Sequence, residues 1–249
     1  GYFLRRTKEE VLTDLPPKNR IRVPTELDRQ TEKKYNAAES NFISYMKNHS
    51  GKQPAEIAKT LQAEKLTQLN VLRMLSEYGK LDTATEIIES VVDSGEKIIV
   101  FSSFMDSLHE LKRRLGDGAI MLTGATPVEE RGEIVRTFQE EKNIRIFLGG
   151  IKSAVVGITL TAASNVLFMG YPWNPADGLQ AEDRAHRISQ KAESVNIYQL
   201  HTDGTIDDDL EEILAKKQKI FDTIIEGKEA LVTEKATDMV ARKIMERRK

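Results

Sequence analysis

The stretch KIIVFSSF, residues 97–104, decides the fold of this chain. It is a short continuous apolar run with β-branched residues, which is typical of a buried strand. SLHELKRRLG, residues 107–116, follows with apolar residues at helical spacing, and AIMLTG, residues 119–124, reads as a second strand. A strand, a helix and a strand of these lengths predict a right-handed βαβ unit, in which the two strands are parallel.

The same alternation continues along the chain. A helix over 127–141 is followed by the apolar runs IRIFLGG at 144–150, NVLFMG at 165–170 and VNIYQLHT at 195–202. A charged helical segment lies between the last two runs. We therefore predict an α/β fold, a parallel sheet with helices on both faces.

Both flanks of this sheet read as helical. The chain up to Gly79 is polar and has apolar residues at three- and four-residue steps, after a break at LPPK, residues 15–18. From Thr205 the sequence predicts a long amphipathic helix that ends at Gly227, and then a further helix with a basic end. The predicted parts are a helical N-terminal extension, a sheet domain and C-terminal helices, with bounds 1–79, 80–204 and 205–249.

The composition excludes several classes of protein. The 249 residues are 39% hydrophobic and 31% charged, with no cysteine and four scattered histidines, so we expect no disulfide and no metal site. No apolar run approaches the roughly 20 residues of a membrane span, and the start has neither Met nor a signal sequence. We expect an intracellular fragment of a longer protein. The net charge of −2 neither supports nor excludes DNA binding.

The segment LQAEDRAHRISQ, residues 179–190, carries the chemistry. As a helix it would place Gln180, Arg184 and Arg187 on one face and let Asp183 pair with Arg187. It begins at the carboxyl edge of the predicted sheet, where ligands bind in open α/β folds, and guanidinium groups there suit a phosphate chain. An exposed helix with ordinary ion pairs is the alternative. No GxxxxGK[ST] sequence occurs, so we expect another domain to hold the nucleotide.

Five segments together resemble the SWI2/SNF2 group of superfamily 2 ATPases. QAEDRAHRISQ is similar to motif VI of that group, GEKIIVFSSF to motif IV, LTGATPVEERGEIVRTFQ to the phosphate-contact motif that follows, and SAVVGITLTAASNVLFMGYPWNP to motif V with its extension. FLRRTKEEVLTDLPPK resembles the connection between the two RecA-like lobes of the group. The segments occur in the family's order, and the pattern is most similar to the annealing-helicase branch.

The resemblance implies a second RecA-like lobe of a double-stranded-DNA-dependent ATPase. The first lobe of the same protein would hold most of ATP and Mg²⁺, residues 1–79 would include the inter-lobe linker, and residues 205–249 would form brace helices. The protein would be nuclear in a eukaryote and cytoplasmic in a bacterium, archaeon or virus, and no membrane is implied. The oligomeric state stays open.

Site residues follow from the same resemblance, position by position. Arg184 and Arg187 match the arginine fingers, and Gln180 and Gly157 match residues near the nucleotide. The positions that match DNA contacts are Ser102, Ser103, Thr123, Gly124, Lys152, Ser153, Thr159 and Trp173.

Each assignment has a structural alternative. The serines could cap a helix, Trp173 could pack in the core and Gly157 could form a turn. The sequence also departs from the family: Val155 and Val156 replace motif V glycines, and Ser189 replaces the glycine of HRIGQ. A non-catalytic module that binds DNA or protein, and an RNA helicase lobe, are the competing functions. Competition between duplex DNA and RNA for stimulation of ATP hydrolysis would distinguish an RNA helicase lobe from a DNA-dependent one.

Overall fold

One parallel sheet of six strands forms the centre of the molecule. The computed structural model describes residues 15–49, 55–154, 157–225 and 235–247. The strand order is β1-β6-β5-β2-β4-β3, and every neighbouring pair is parallel. The strands are β1 (Lys18–Thr25), β2 (Ile98–Ser102), β3 (Ala119–Leu122), β4 (Ile146–Gly150), β5 (Asn165–Phe168) and β6 (Val195–Thr202).

Helices cover both faces of this sheet, which confirms the predicted fold class. Alternate residues of β2 face opposite sides, so Ile98 and Val100 join one core while Ile99 and Phe101 join the other. The first core is covered by α3 (Leu81–Asp93) and α4 (Met105–Leu115), and the second by α5 (Val128–Glu140), α6 (Ile151–Ala154) and α7 (Pro175–Glu182). All five residues of β2 are buried, as a central strand requires.

Strand β1 was not predicted, because its segment was interpreted as part of a helical extension. It pairs in parallel with β6 over its whole length, from Lys18 opposite Val195 to Thr25 opposite Thr202. The strand lies at the sheet edge and is mostly exposed, so it lacks the apolar run that marks a buried strand. An edge position also tolerates Pro24, which cannot donate a backbone hydrogen bond.

The helices from the two ends of the chain pack together. They are α1 (Arg29–Asn48), α2 (Ala55–Tyr78), α8 (Ile206–Ile225) and α9 (Ala236–Arg247). They share one core whose buried members include Tyr35, Phe42, Leu69, Leu72, Ile213 and Val240. Gly227, the predicted end of the long helix, lies outside the described residues. None of the described helices has the length and apolarity needed to cross a membrane.

A buried polar network joins this helical layer to the sheet. The ammonium group of Lys80 contacts the carboxylate of Asp207 at the start of α8, and neither side chain is more than 3% exposed. Asp207 also accepts hydrogen bonds from Ser76 Oγ at 3.1 Å and from Thr202 N at 3.0 Å. Nearby, the buried Glu77 carboxylate accepts a hydrogen bond from Ser102 Oγ, and burial raises the pKa of Glu77.

Candidate functional site

The predicted site residues gather at the carboxyl edge of the sheet. The strands are parallel, so the segments that leave β2, β3, β4 and β5 all emerge on that edge. Ser103 follows β2, Lys152 follows β4 and Trp173 follows β5, whereas Thr123 and Gly124 follow the edge strand β3. The segments after β4 and β5 also carry Gly157, Thr159 and the two arginines.

Arg184 and Arg187 both contact the segment at 158–160. Arg184 Nη1 donates a hydrogen bond to Ile158 O at 3.3 Å, and Leu160 N donates one to Arg184 O at 2.9 Å. Arg187 Nη1 donates to Thr159 Oγ1 at 2.8 Å. The structure therefore joins the segments that resemble motifs V and VI. Thr159, which the sequence predicts to contact DNA, accepts this hydrogen bond from Arg187 through its hydroxyl oxygen.

The predicted helix over 179–190 is wrong in its second half. Helix α7 ends at Glu182, so Arg184 and Arg187 lie on turns and do not share a helical face with the exposed Gln180. Beyond Glu182 the backbone forms tighter turns, in which Arg184 N donates to Ala181 O and Ala185 N to Glu182 O, each at 3.1 Å.

The environments of the two arginines differ. Arg184 is only 8% exposed, and burial, followed by the charge of Arg187, lowers its pKa. Arg187 is half-buried, and its Nε donates to Asp183 O at 3.2 Å, where the sequence predicted a pair with the carboxylate. The Asp183 carboxylate lies 3.3 Å from Lys18 Nζ. Arg187 is thus the more accessible of the two guanidinium groups.

A pocket of about 310 Å³, lined by both polar and apolar side chains, lies at the ends of β2, β4 and β5. Ser103 and Lys152 are exposed at this pocket and Trp173 is half-buried in its wall. The pocket thus brings together predicted DNA contacts from three loops. The side chain of Ser153 lies outside the described part of the chain. Among the lining residues are Asn70, Arg73, Ser102, Ser103, Phe104, Lys152 and Trp173.

Two predicted DNA contacts have other roles in the structure. Ser102 is fully buried, and its Oγ donates to Glu77 and accepts from Phe104 N at 2.8 Å. Thr123 is 5% exposed, and its Oγ1 accepts from Ala125 N at 3.2 Å. Both hydroxyl groups accept a hydrogen bond from a backbone N–H two residues further on, although α4 has Phe104 at its N-cap and no side-chain cap. Their neighbours Ser103 and Gly124 are the exposed residues of each pair.

Gly157 has a backbone conformation that favours glycine. Its φ is +54°, in the left-handed region, and no atom lies within 4 Å of where a Cβ would stand. The residue is exposed and directly precedes the segment that holds the arginines. The two valines ahead of it lie outside the described residues.

Three residues of α2, Leu66, Asn70 and Arg73, line the pocket, and the sequence analysis missed them. Arg73 Cζ lies 4.8 Å from the centre of the Trp173 ring, and Asn70 Oδ1 accepts a hydrogen bond from Trp173 Nε1 at 3.2 Å. The signal was present as a charged residue within the apolar run NVLRML, residues 70–75. A long helix with one buried arginine does not reveal its partner, which is 100 residues away in the chain.

Comparison with protein families identifies the central part of the chain. Residues 79–189 match the model of the helicase conserved C-terminal domain. The chain is 32% identical to an uncharacterized ATP-dependent helicase of Mycoplasma pneumoniae, with 90% of this chain and 22% of the relative aligned. It is 31% identical to the DNA annealing helicase and endonuclease ZRANB3 of Mus musculus, over 91% of this chain and 21% of the relative. The chain spans about a fifth of the length of these curated relatives.

Solved structures agree with the sequence comparison. The C-terminal part of the Fun30 ATPase domain has the same fold, with a TM-score of 0.73, 22% identity and coverage of 94% of this chain and 99% of that chain. The Sulfolobus solfataricus SWI2/SNF2 ATPase core, solved in complex with double-stranded DNA, gives a TM-score of 0.67 and 27% identity over 90% of this chain and 50% of that chain. The chain belongs to the SWI2/SNF2 family of helicase-like ATPases, and it corresponds to the C-terminal lobe.

Proposed function

We propose that this chain is the second motor lobe of an ATP-dependent translocase on double-stranded DNA. The observation that carries the proposal is the arrangement at one sheet edge: two arginines that contact the 158–160 segment, and a pocket with exposed Ser103 and Lys152 at the ends of β2, β4 and β5. Such a translocase needs both a group that contacts the nucleotide and a surface that binds the DNA. Here the segment between β4 and β5 connects the two.

Arg187 is the proposed principal arginine finger. Its half-buried guanidinium is anchored through Nε and Nη1, so its position is defined before ATP arrives. When a P-loop lobe closes on this lobe, the guanidinium would bind the γ-phosphate oxygens as water attacks the phosphorus and ADP leaves. Stabilising that charge is worth about 10³ to 10⁵ in rate in other nucleotide hydrolases. Arg184 would hold the 158–160 segment in place, and its buried positive charge would add to the electrostatic stabilisation of the γ-phosphate.

DNA would bind at this pocket through its phosphates. Ser103 and Lys152 offer a hydroxyl group and a positive charge, and such groups hold a backbone without reading its sequence. Trp173 would lie against the same strand. Closing and reopening the two lobes would shift this pocket along the DNA, which converts hydrolysis into movement without strand separation.

The residues beside the arginines do not fit a Mg²⁺ site. Glu182 lies 2.9 Å from Lys18 Nζ and 2.7 Å from Arg20 Nη2, so its carboxylate is already neutralised by two cations. Asp183 also contacts Lys18. We assign the Mg²⁺ that accompanies ATP to the P-loop lobe, and no role of this chain depends on binding it.

The test is ATP hydrolysis with and without duplex DNA, by the chain alone and joined to the P-loop lobe of its own protein. We expect DNA-stimulated hydrolysis only in the joined protein. Arg187→Ala should lower its rate by about 10³-fold or more, and Arg187→Lys should not restore it because the guanidinium fork is lost. Arg136→Ala is the matched control, since that exposed arginine pairs with Glu133 on α5.

The outcomes separate the competing functions. Near-normal hydrolysis by Arg187→Ala would refute the finger. No hydrolysis by the joined protein, combined with salt-dependent DNA binding by the chain, would favour a binding module without catalysis. Equal stimulation by duplex RNA would favour an RNA helicase lobe.

A further inference from the structure

Arg73 of α2 lies between two loops that carry proposed DNA contacts. Its Nη2 donates to Tyr171 O at 2.6 Å, at the start of the loop that carries Trp173. The same Nη2 donates to Ser103 Oγ at 3.0 Å, in the loop after β2. One guanidinium group therefore joins the end of β2 to the segment after β5.

The Arg73 guanidinium also contacts two aromatic rings. Arg73 Cζ lies 4.8 Å from the ring centre of Trp173 and 5.4 Å from that of Phe104. Both distances are within the range of cation–π contacts, which strengthen when the cation is removed from water. Asn70, one helical turn earlier, accepts the indole N–H of Trp173 at 3.2 Å and also accepts from Arg73 Nη1 at 3.3 Å. The indole is thus held at its face and at its nitrogen.

We propose that Arg73, together with Asn70, is a positioning residue that fixes Trp173 and Ser103 in the orientation in which they contact a DNA strand. The inference rests on the proposed DNA-binding function. It assigns a role to α2, a helix outside the segments that resemble the family's motifs.

Arg73 acts through these groups and does not itself reach a phosphate. The residue is only 6% exposed, and Tyr171 O, Ser103 Oγ and Asn70 Oδ1 accept its hydrogen bonds. Burial lowers its pKa to about 10, so it remains charged at neutral pH and keeps its ring contacts. A lysine would keep the charge but could not make a planar stack and bonds to both loops.

The only tryptophan of the chain is Trp173, so its fluorescence reports on this site alone. We would measure emission, quenching by iodide and duplex-DNA affinity across a salt series, using the 249-residue chain. Arg73→Lys should shift the emission to longer wavelength, increase quenching and weaken DNA binding by about ten- to a hundredfold. The slope of log affinity against log salt should stay unchanged, because no phosphate contact is lost.

Three further variants make the test specific. Asn70→Ala, at a half-buried position, should alter the emission and weaken binding in the same way if Arg73→Lys fails to fold. Lys152→Ala should reduce the salt slope by about one and leave the emission of the free chain unchanged. Thr67→Ala, at an exposed position of the same helix, should change neither property.

Two results would overturn the inference. One is that Arg73→Lys keeps the duplex-DNA affinity and the tryptophan emission of the wild-type chain. The other is that its slope of log affinity against log salt decreases by about one, which would make Arg73 a direct phosphate contact. If the wild-type chain binds no duplex DNA, the proposed function fails. The emission and quenching of the two α2 variants still decide, in that case, whether Arg73 and Asn70 hold the indole.

Discussion

Replacing Lys80 by methionine tests the buried network that joins the helical layer to the sheet. The ammonium group is 0% exposed and its partner Asp207 is 3% exposed, so neither charge can be hydrated in the folded chain. Methionine fills a similar volume without the charge. Asp207 would keep the hydrogen bonds from Ser76 and Thr202 N but would lose its cation.

The expected loss of stability is about 3–5 kcal/mol, the usual effect of removing one partner from a buried ion pair. Two neutral donors remain on Asp207, which places the expectation at the lower end of that range. Replacing both residues, as Lys80→Met with Asp207→Asn, should cost less than the sum of the single changes, because no uncompensated charge is left buried.

The assay is urea unfolding followed by circular dichroism, with the slope of free energy against denaturant compared between variants. Arg136→Ala removes an ion pair whose side chains are 61% and 62% exposed, so it should change stability by about 1 kcal/mol or less. A loss below about 1 kcal/mol for Lys80→Met would refute the reasoning, since it would mean that the pair is hydrated or not formed.

Three other changes test the site and its support. Thr159→Val removes the hydrogen bond to Arg187 Nη1 at 2.8 Å, and we expect about tenfold slower DNA-stimulated ATP hydrolysis in the joined protein; an unchanged rate would mean that Thr159 does not position Arg187. Gly157→Ala places a side chain at φ +54° and should lower the unfolding free energy by about 1–2 kcal/mol in denaturant titrations; the absence of a loss would show that the turn relaxes. Burial raises the pKa of Asp209 from 3.8 to about 6, so the folded state binds the proton more tightly and stability should fall as the pH rises from about 4 to about 6. Asp209→Asn should remove that fall, by up to about 3 kcal/mol in melts across the pH series, whereas the exposed Asp117→Asn should retain it.

The sequence predicted the parallel sheet correctly because its signals are local. Short continuous apolar runs with β-branched residues, such as IIVFS at 98–102, are typical of strands buried on both faces, and the helices between them have their own periodicity. Strand β1 has no continuous apolar run, because it lies at the sheet edge and most of its residues are exposed to solvent. Its assignment depends on β6, which lies about 170 residues further along the chain.

The site was predicted in part for the same reason. The spacing of the arginines and of the loops after β2, β4 and β5 follows from the order of residues, so the sequence indicated which segments meet at one edge. It could not distinguish Ser102 from Ser103, because the two differ in burial and not in chemistry. Nor could it connect Arg73 to Trp173.

The sequence by itself determined the five strands β2 to β6, most of the helices and the residue types at the sheet edge, since each depends on neighbours within a few positions. Only the tertiary structure decided where Arg184 and Arg187 point. The local pattern favours a helix through both, but after Glu182 the backbone changes to tighter turns, in which Arg184 N donates to Ala181 O and Ala185 N to Glu182 O, each at 3.1 Å. The guanidinium groups are then placed by Ile158 O and Thr159 Oγ1, which lie 26 and 28 residues earlier in the chain, so no local pattern records those contacts.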